Sequence, residues 1–260
     1  MKIVRFNIPG RCRYGVVEGD TIRGLRGIPY GRKRSLAEKP LFDGTSYCLK
    51  EMKLMAPAKP SKIVAVGLNY LSHARETKME TPPAPLIFLK PPSAVIGPED
   101  NIVLPRGHGR VDYEGELAVV ISRLAKDVPK EHAEDYILGY TCANDVSERH
   151  MQKADGQWTR AKGFDTFAPL GPWVETELDP AGLRLTTRLN GEVKQAASTS
   201  DMIFGVPSLL EFISGVMTLL PGDVIITGTP AGIGPMHDGD VVEITIEGIG
   251  TLKNQVKESA

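Results

Sequence analysis

The feature that most constrains this chain is the alternation in residues 111–122, VDYEGELAVVIS. Its odd positions carry apolar residues, tyrosine or glycine, and its even positions open with Asp112, Glu114 and Glu116. A period of two predicts a β-strand that is half buried through one apolar face. Because Glu114 and Glu116 are two residues apart, both carboxylates should point to the same side, with Cβ atoms roughly 6–7 Å apart.

Two like charges held this close on one strand repel each other, so either one takes up a proton or a cation lies between them. On a half-buried strand an uncompensated charge is costlier still, which favours a divalent metal. Ligands that are all oxygen favour Mg²⁺, Mn²⁺ or Ca²⁺ over zinc. For the Glu114–Glu116 pair alone, a solvated strand edge with no metal is the commoner arrangement, and it stays open at this point.

The bulk composition narrows the class of protein. A chain of 260 residues with 41% hydrophobic content suffices for one large globular domain, or for a domain with a small appendage. The net charge of −1 favours neither nucleic acid nor an anionic membrane as a partner. No apolar run approaches ~18 residues, and the start, MKIVRFNIPG, is typical of a strand rather than of a signal peptide. The 27 Gly and 20 Pro favour a β-dominated fold with many short strands.

The cysteines indicate the compartment. Cys12, Cys48 and Cys142 are odd in number and widely spaced, so they fit neither a disulfide framework nor a zinc site. They suit a reducing cytosol, and we therefore expect a cytoplasmic protein.

The first part of the chain is predicted to form a small β-rich unit. Short strands are expected at 2–6, 14–18 and 21–25, and the basic trio Arg32-Lys33-Arg34 is expected to be a solvated loop. The segment 55–60, MAPAKP, contains two prolines and is typical of a linker. We place the domain boundary there, between residues 57 and 58.

A histidine and a glutamate follow the next predicted strand, 63–66, in the segment GLNYLSHARE. Asn69 is expected to cap a short helix, on which His73 and Glu76 are three residues apart and share a face. A histidine oriented by a carboxylate can act as a general base, although such a pair is more often a surface ion pair. Residues 77–85 carry three prolines and no periodicity, which favours a mobile loop, so this segment is a candidate lid.

A second polar cluster is predicted downstream. Strand 137–146 ends near Asp145, and Ser147 is expected to cap a helix that carries Arg149 and Gln152 on one face. Lys162 lies among apolar and aromatic neighbours, where a partly buried cation and a surface lysine are about equally expected.

The C-terminal part contains two predicted hairpins, a helix and a glycine-rich loop. Asn190-Gly191 is a strong type I′ turn signal between strands 185–190 and 193–197, and Pro207 opens an amphipathic helix. A strand at 223–227 precedes the loop 228–235, GTPAGIGP, whose glycines lack the dinucleotide spacing. The loop can present backbone N–H groups and the Thr229 hydroxyl to an anion, or it is only a tight turn. A final hairpin is expected over 241–246 and 251–256.

Seven segments, in this order, resemble the fumarylacetoacetate hydrolase family, and in particular its short bacterial, acylpyruvase-like or 2-hydroxyhepta-2,4-diene-1,7-dioate isomerase-like members. They are VGLNYLSHARE (66–76), IFLKPPSAVIGP (87–98), DYEGELAVVI (112–121), GYTCANDVSERHMQ (139–152), RAKGFDTFAPLGPWV (160–174), NGEVKQAASTSDMIF (190–204) and PGDVIITGTPAGIGP (221–235). The resemblance implies an α+β, mostly β fold, a mixed β-sandwich roll or barrel over residues 58–260. It also implies a small N-terminal β domain over residues 1–57, and a homodimer.

The resemblance also implies roles for individual residues. It assigns metal ligation to Glu114, Glu116 and Asp145, a catalytic lid dyad to His73 and Glu76, catalysis to Lys162, and substrate contacts to Arg149, Gln152 and Thr229. The metal is expected to be Mg²⁺ or Mn²⁺. Eukaryotic members carry a further aspartate ligand before the region of His73. This chain has Asn69 near there, so three protein carboxylates are expected, with water completing the coordination shell.

The activity that the resemblance implies is hydrolysis of a C–C bond in a 2,4-dioxo acid of the acylpyruvate or fumarylpyruvate type, through a metal-stabilised pyruvate enolate. The alternative within the family is an isomerase, a tautomerase, or a decarboxylase of oxaloacetate or 5-oxopent-3-ene-1,2,5-tricarboxylate. Two rivals lie outside it. Metal-dependent phosphoryl hydrolysis is disfavoured because the sequence has neither a P-loop nor the signal of a basic groove. A non-enzymatic binding module is disfavoured because it does not account for His73, Glu76 and Lys162 together.

Overall fold

The computed structural model describes residues 1–31 and 41–259, so the basic trio Arg32-Lys33-Arg34 lies outside the described residues. Strands dominate it, as the glycine- and proline-rich composition predicts. In chain order they are β1 Lys2–Ile8, β2 Arg11–Glu18, β3 Thr21–Leu25, β4 Phe42–Cys48, β5 Leu54–Met55, β6 Ile63–Val66, β7 Ile87–Lys90, β8 Val95–Ile96, β9 Ile102–Leu104, β10 Val111–Tyr113, β11 Gly115–Ile121, β12 Ile137–Asn144, β13 Ser147–Glu148, β14 Ala168–Glu175, β15 Arg184–Leu189, β16 Glu192–Ser198, β17 Val224–Ile226, β18 Gly234–Pro235, β19 Val241–Ile246 and β20 Gly250–Glu258.

The helices are few and short. They are α1 Leu71–Thr77, α2 Arg149–Asp155, α3 Thr159–Lys162 and α4 Val206–Val216, with 3₁₀ turns at Leu49–Glu51, Pro92–Ala94, Lys130–Tyr136 and Thr199–Asp201. The N-cap of the 3₁₀ segment Lys130–Tyr136 is Pro129. Of the helices described, none is long and apolar enough to cross a membrane.

The strands of residues 1–31 and 41–259 form three sheets. The largest has 12 strands, with β4-β3-β2-β1-β14-β12-β11-β17-β6-β7 as its main path. A sheet of five, β16-β15-β19-β20-β9, and a sheet of three, β13-β10-β18, complete the fold. The main path runs between two separate ends, β4 and β7, so the strands of the described residues close no barrel.

The N-terminal β unit is an extension of the largest sheet. β1 pairs antiparallel with β14, where Lys2 lies opposite Glu175. The N-terminal ammonium also donates to the Glu175 carboxylate over 2.6 Å. The segment expected to be a linker is packed, since Ala56, Pro57 and Ala58 are all buried.

The central strand β11 is covered on both faces. Its odd positions, Leu117, Val119 and Ile121, belong to one apolar core together with β15, β19 and α4. Its even positions, Ala118 and Val120, belong to a second core on the opposite face. The expectation of a half-buried strand is therefore wrong, because a central strand of a sheet covered on both faces buries both sets of side chains.

The hairpin signals are confirmed. Asn190 and Gly191 both have positive φ, 53° and 81°, as a type I′ turn requires between β15 and β16.

The amphipathic helix that Pro207 is expected to open is α4. It begins at Val206, with Pro207 in its first turn, and buries Leu209, Leu210 and Ile213 in the main core.

Candidate active site

The acidic stretch is two strands rather than one. β10 ends at Tyr113, β11 begins at Gly115, and Glu114 interrupts the ladder between them. The backbone N–H of Glu114 donates to Asn144 Oδ1 at 2.9 Å, and that of Gly115 donates to Gln195 Oε1 at 2.9 Å. Side chains thus take the place of strand partners, which is why the continuous strand expected over 111–122 breaks.

Three carboxylates converge at this break. β12 runs antiparallel to β11, and the N–H of Asp145, just after β12, donates to the Glu114 carbonyl at 2.9 Å. One carboxylate oxygen from each of Glu114, Glu116 and Asp145 lies within 4.8 Å of the others. All three side chains are buried, so the alternative of a solvated strand edge is wrong.

Two buried lysines face the carboxylates. Lys162, at the end of α3, donates from Nζ to Glu114 Oε2 and to Asp145 Oδ2, each at 2.7 Å. Lys90, at the end of β7, donates from Nζ to the other Asp145 oxygen and to the Val146 carbonyl. Lys162 is 2% exposed, so the alternative of a surface lysine is wrong.

The two ammonium groups respond differently to the same surroundings. Burial lowers the pKa of Lys162, but the charges of Asp145 and Glu114 outweigh it and raise that pKa above the ordinary value. Burial and the Lys162 charge both lower the pKa of Lys90, and together they outweigh the Asp145 charge, which raises it. Sequence reasoning missed Lys90 because a lysine at the end of a strand carries no signal of a partner 55 residues away.

The two glutamates differ in the same way. Burial raises the pKa of Glu114, yet the Lys162 and Arg149 charges, then His73, bring it well below the usual range. Burial also raises the pKa of Glu116, and the Asp145 and Glu114 charges raise it further, to well above the ordinary value. Glu116 Oε2 accepts the Gly228 N–H at 2.6 Å. Among residues 1–31 and 41–259, no Lys, Arg or His forms an ion pair with Glu116.

The donor set fits a hard divalent cation. Its members are all carboxylate oxygens and they converge; among the described residues Glu114 and Asp145 form ion pairs and Glu116 forms none. Mg²⁺ and Mn²⁺ prefer such ligands, and a cation beside Glu116 would remove the repulsion that raises its pKa. Glu114, Glu116 and Asp145 are therefore the residues that could hold the ion.

Arg149 connects this site to α2. Its Nε donates to Asp112 Oδ2 at 2.8 Å, its Nη2 to Glu114 Oε1 at 2.5 Å and its Nη1 to Gln152 Oε1 at 2.7 Å. Asp112 is fully buried, and its role went unpredicted although it opens the acidic alternation. Arg149 and Gln152 do share a helical face; Arg149 contacts the carboxylate cluster directly, and Gln152 contacts Arg149.

The cap expected at Ser147 is wrong. Ser147 and Glu148 form β13, which pairs with β10, and the Ser147 hydroxyl donates to the Asp145 carbonyl at 2.7 Å. Glu148 caps α2 instead and accepts the Met151 N–H at 2.5 Å. Glu148 is both the last residue of β13 and the N-cap of α2, and its side chain is long enough to reach the first turn of the helix.

His73 and Glu76 form a pair on α1. His73 Nδ1 lies 3.1 Å from Glu76 Oε2, and His73 is only 6% exposed. Glu76 Oε1 accepts the Gly232 N–H at 2.9 Å, and Ser72 Oγ accepts the Ala231 N–H at 3.3 Å. The glycine-rich loop that reaches Glu116 through Gly228 thus also holds α1 in place.

Asn69 does not cap α1, contrary to expectation. The N-cap is Tyr70, which makes no side-chain capping bond. The Asn69 side chain donates to the Thr227 and Phe204 carbonyls at 2.7 and 3.0 Å and accepts the Phe204 N–H at 2.8 Å. Gly228 has φ of +94°, and a Cβ there would lie 2.8 Å from the Asn69 Cβ, so this turn requires glycine.

Thr229 follows directly and is 2% exposed. Its hydroxyl donates to the Gly115 carbonyl at 2.9 Å and accepts from Gln195 Nε2 at 2.8 Å. The structure thus engages the Thr229 hydroxyl internally, beside the carboxylates, and its contact with a substrate stays a prediction. Gln195 is a further residue that sequence reasoning missed.

Two protein families match the chain. Residues 62–257 match "Fumarylacetoacetate (FAA) hydrolase C-terminal", and residues 1–57 match "Rv2993c-like, N-terminal". Protein Rv2993c of Mycobacterium tuberculosis is 50% identical over 98% of this chain and 98% of its own length. The 2,4-didehydro-3-deoxy-L-rhamnonate hydrolase of a Sphingomonas species is 39% identical over 99% of this chain and 96% of that protein.

Solved structures are similar over the whole chain. The 5-carboxymethyl-2-hydroxymuconate delta-isomerase of Mycobacterium smegmatis is 48% identical, with a TM-score of 0.92 and 100% of both chains covered. The maleylpyruvate hydrolase of Sphingobium sp. SYK-6, solved with manganese(II) and pyruvate, is 31% identical, with a TM-score of 0.81 and 100% of both chains covered. The similar proteins thus include both hydrolases and an isomerase.

Proposed function

The chain belongs to the fumarylacetoacetate hydrolase family, and from that premise we propose that it is a divalent-metal-dependent hydrolase of a 2,4-dioxo acid of the acylpyruvate type. The observation that carries the proposal is the convergence of the three buried carboxylates with Lys162, beside a His73 whose charge acts on Glu114 and whose ring contacts Glu76. Two similar proteins whose names are those of hydrolases, one of them solved with manganese(II) and pyruvate, support it.

Substrate binding would rest on charge complementarity. A Mg²⁺ or Mn²⁺ ion held by Glu114, Glu116 and Asp145 would supply Lewis-acid polarisation of the substrate's carboxylate and 2-oxo oxygens. Arg149 donates to Glu114 through Nη2 and to Gln152 through Nη1. Both side chains would orient the far end of the substrate.

His73 is the proposed base. With its Nδ1–H donated to Glu76, the other ring nitrogen is left unprotonated and can take a proton from water. The Gly232 N–H on Glu76 fixes the orientation of that carboxylate, and hence of the ring. Water deprotonated by His73 would then add to the C4 carbonyl of the substrate.

Lys162 would stabilise the oxyanion that forms at C4, since its ammonium is buried and its pKa is raised, so that it stays charged. When the C3–C4 bond breaks, its electron pair stays with C3, which takes up a proton to complete pyruvate. C4 leaves as the carboxylic acid that carries the water oxygen, so atoms and charges balance.

A second candidate function is isomerisation or decarboxylation on the same site. The observation that favours it is the full-length similarity to an isomerase, at 48% identity. These reactions need the polarised oxo acid but no attacking water. They would use the carboxylates and Lys162 and would leave the His73–Glu76 pair without a water to activate.

The experiment that separates the two follows the oxygen atom. Acylpyruvates are incubated with the protein and Mg²⁺ or Mn²⁺ in heavy-oxygen water, and the products are identified by mass spectrometry. Hydrolysis predicts pyruvate plus a carboxylic acid that carries one heavy oxygen, only with the metal present. Metal-dependent turnover of hydroxydienoates or oxaloacetate, with no acylpyruvate cleaved, would contradict the hydrolase and favour the second candidate.

A further inference from the structure

A closed ring of hydrogen bonds surrounds Gly115, the residue between the two glutamates. The Gly115 N–H donates to Gln195 Oε1 at 2.9 Å. Gln195 Nε2 donates to Thr229 Oγ1 at 2.8 Å, and Thr229 Oγ1 donates to the Gly115 carbonyl at 2.9 Å. Gln195 Nε2 also donates to the Pro230 carbonyl at 2.8 Å, so every donor and acceptor of this fully buried amide is engaged.

The ring sets the direction of the backbone on both sides of Gly115. The Gly115 N–H belongs to the peptide that joins it to Glu114, and the Gly115 C=O belongs to the peptide that joins it to Glu116. Neither peptide can rotate without breaking a hydrogen bond of the ring. Glu114 precedes this residue and Glu116 follows it, so the orientation of Gly115 decides where both carboxylates leave the chain. Gln195 lies on β16 in the five-stranded sheet, whereas Gly115 and Glu116 lie on β11 in the 12-stranded sheet, so the ring joins two sheets.

The space around Gly115 admits no side chain. A Cβ there would lie 2.1 Å from Thr187 Oγ1 and 3.1 Å from Gln195 Oε1. Thr187 lies directly opposite Gln195 in the β15–β16 register. The same pair of strands thus provides Gln195, which bonds to Gly115, and Thr187, which fills the space beside it. The close approach that glycine permits is what lets Gln195 reach the backbone.

We propose that Gln195, acting with Thr229, is a positioning residue that aims Glu114 and Glu116 at the metal. The assignment rests on the proposed function, because it presumes that these carboxylates hold a divalent cation. It gives the Thr229 hydroxyl a role in the empty enzyme that is separate from any contact with substrate. Groups that orient metal ligands commonly account for ~10–100-fold in metal affinity.

The test is Mn²⁺ affinity without substrate, measured by titration calorimetry on the full chain. Gln195→Met keeps the length of the side chain and removes its hydrogen bonds, and should weaken Mn²⁺ binding ~10–100-fold. Thr229→Val should weaken it as well, whereas Thr229→Ser, which keeps the hydroxyl, should bind as the wild type does. Because either change opens the ring, the double variant should lose little more than the worse single variant.

Thr187→Val is the matched control. Thr187 is as buried as Gln195 and lies opposite it, but its hydroxyl has no hydrogen-bond partner among the described residues. The substitution keeps the shape and should leave Mn²⁺ affinity unchanged. Thermal unfolding in excess chelator, run on every variant, measures any loss of stability apart from the metal.

The outcomes separate the assignment from the proposed function. Wild-type affinity in both Gln195→Met and Thr229→Val would overturn the assignment alone. An equal loss in Thr187→Val, or losses that multiply in the double variant, would overturn it too, because packing rather than the ring would then be responsible. Absence of Mn²⁺ binding by the wild-type chain would overturn the metal site itself. If Gln195→Met does not fold, the Thr229→Val and Thr229→Ser pair decides.

Discussion

Two buried carboxylates lie at opposite ends of β17, and their surroundings contrast. Asp223, just before the strand, accepts bonds from the Ser61 N–H and hydroxyl, the Lys62 N–H and ammonium, and the Leu220 N–H, over 2.5–3.2 Å. Glu116 faces the other end and, within the described part of the chain, accepts one bond, from the Gly228 N–H at 2.6 Å. Both carboxylates are 1% exposed or less.

The pKa shifts follow this difference. Burial raises the pKa of Asp223, but the Lys62 side chain and the surrounding donors outweigh it and lower the pKa. The pKa of Glu116 is raised, because burial and the two neighbouring carboxylates outweigh the Lys162 charge and the Gly228 N–H. Hydrogen-bond donors offset the cost of burying a carboxylate such as Asp223, whereas the burial of Glu116 is left for a bound cation to offset. The following substitutions test that contrast.

Glu116→Gln should show the largest effect. The change removes one charge of the proposed metal site with almost no change in shape, so metal-dependent cleavage of acylpyruvate should fall by about 10³-fold or more, a barrier increase of roughly 4 kcal/mol. The free energy of unfolding in chelator should stay the same or rise, because a strained charge is removed. Pyruvate release and urea unfolding measure the two effects. If Glu116→Gln retained the turnover of the wild type in excess chelator, Glu116 would have no role in the mechanism.

His73→Ala should lower acylpyruvate hydrolysis by ~10²–10⁴-fold, the usual size of a general-base effect. Oxaloacetate decarboxylation, where the enzyme shows it, should fall much less, since it needs no attacking water. Glu114→Ala serves as the comparison, because both activities should be lost together there. The measurement is kcat for the two reactions in the two variants. Equal losses of both activities in His73→Ala would assign the pair a role other than water activation.

Asp223→Asn should do the reverse of Glu116→Gln. Replacing a carboxylate that accepts five bonds weakens a buried network, so the free energy of unfolding should fall by about 2–4 kcal/mol. Mn²⁺ affinity and kcat should change little, because Asp223 lies at the far end of β17. Urea unfolding and Mn²⁺ titration on the same preparation check both. A loss of Mn²⁺ binding without a loss of stability would erase the contrast.

The smallest effect is the pH dependence of the Asp223 contribution. The pKa of Asp223 is lowered in the folded state, so its stabilisation is present at pH values above the unfolded value, about 3.9. It is lost as the pH falls through the folded value. The difference in free energy of unfolding between wild type and Asp223→Asn should therefore be largest near neutral pH and shrink as the pH falls below about 4. A difference that grows on acidification would reverse the sign assigned to this group.

Local patterns in the sequence predicted what depends on neighbours along the chain. The Asn190-Gly191 turn, the amphipathic α4 and the convergence expected of Glu114 and Glu116 all follow from short-range periodicity. The family resemblance added Asp145 and Lys162, which the fold brings to the same place.

Contacts between distant segments could not be predicted in this way. Asn69 is a favourable capping residue, yet its side chain bonds to Phe204 and Thr227, more than 130 residues later. Gln195 reaches Gly115 across 80 residues and from another sheet. Local propensity describes neither contact, because each depends on which sheets pack together.

The stoichiometry of Mn²⁺ binding shows whether Glu114, Glu116 and Asp145 hold one divalent cation. Electron paramagnetic resonance and calorimetry would be applied to the wild type, Glu116→Gln and Asp223→Asn in the absence of substrate. We expect one tightly bound Mn²⁺ per chain in the wild type and in Asp223→Asn, and greatly weakened binding in Glu116→Gln. Equal binding by Glu116→Gln and the wild type, or none by the wild type, would contradict that expectation.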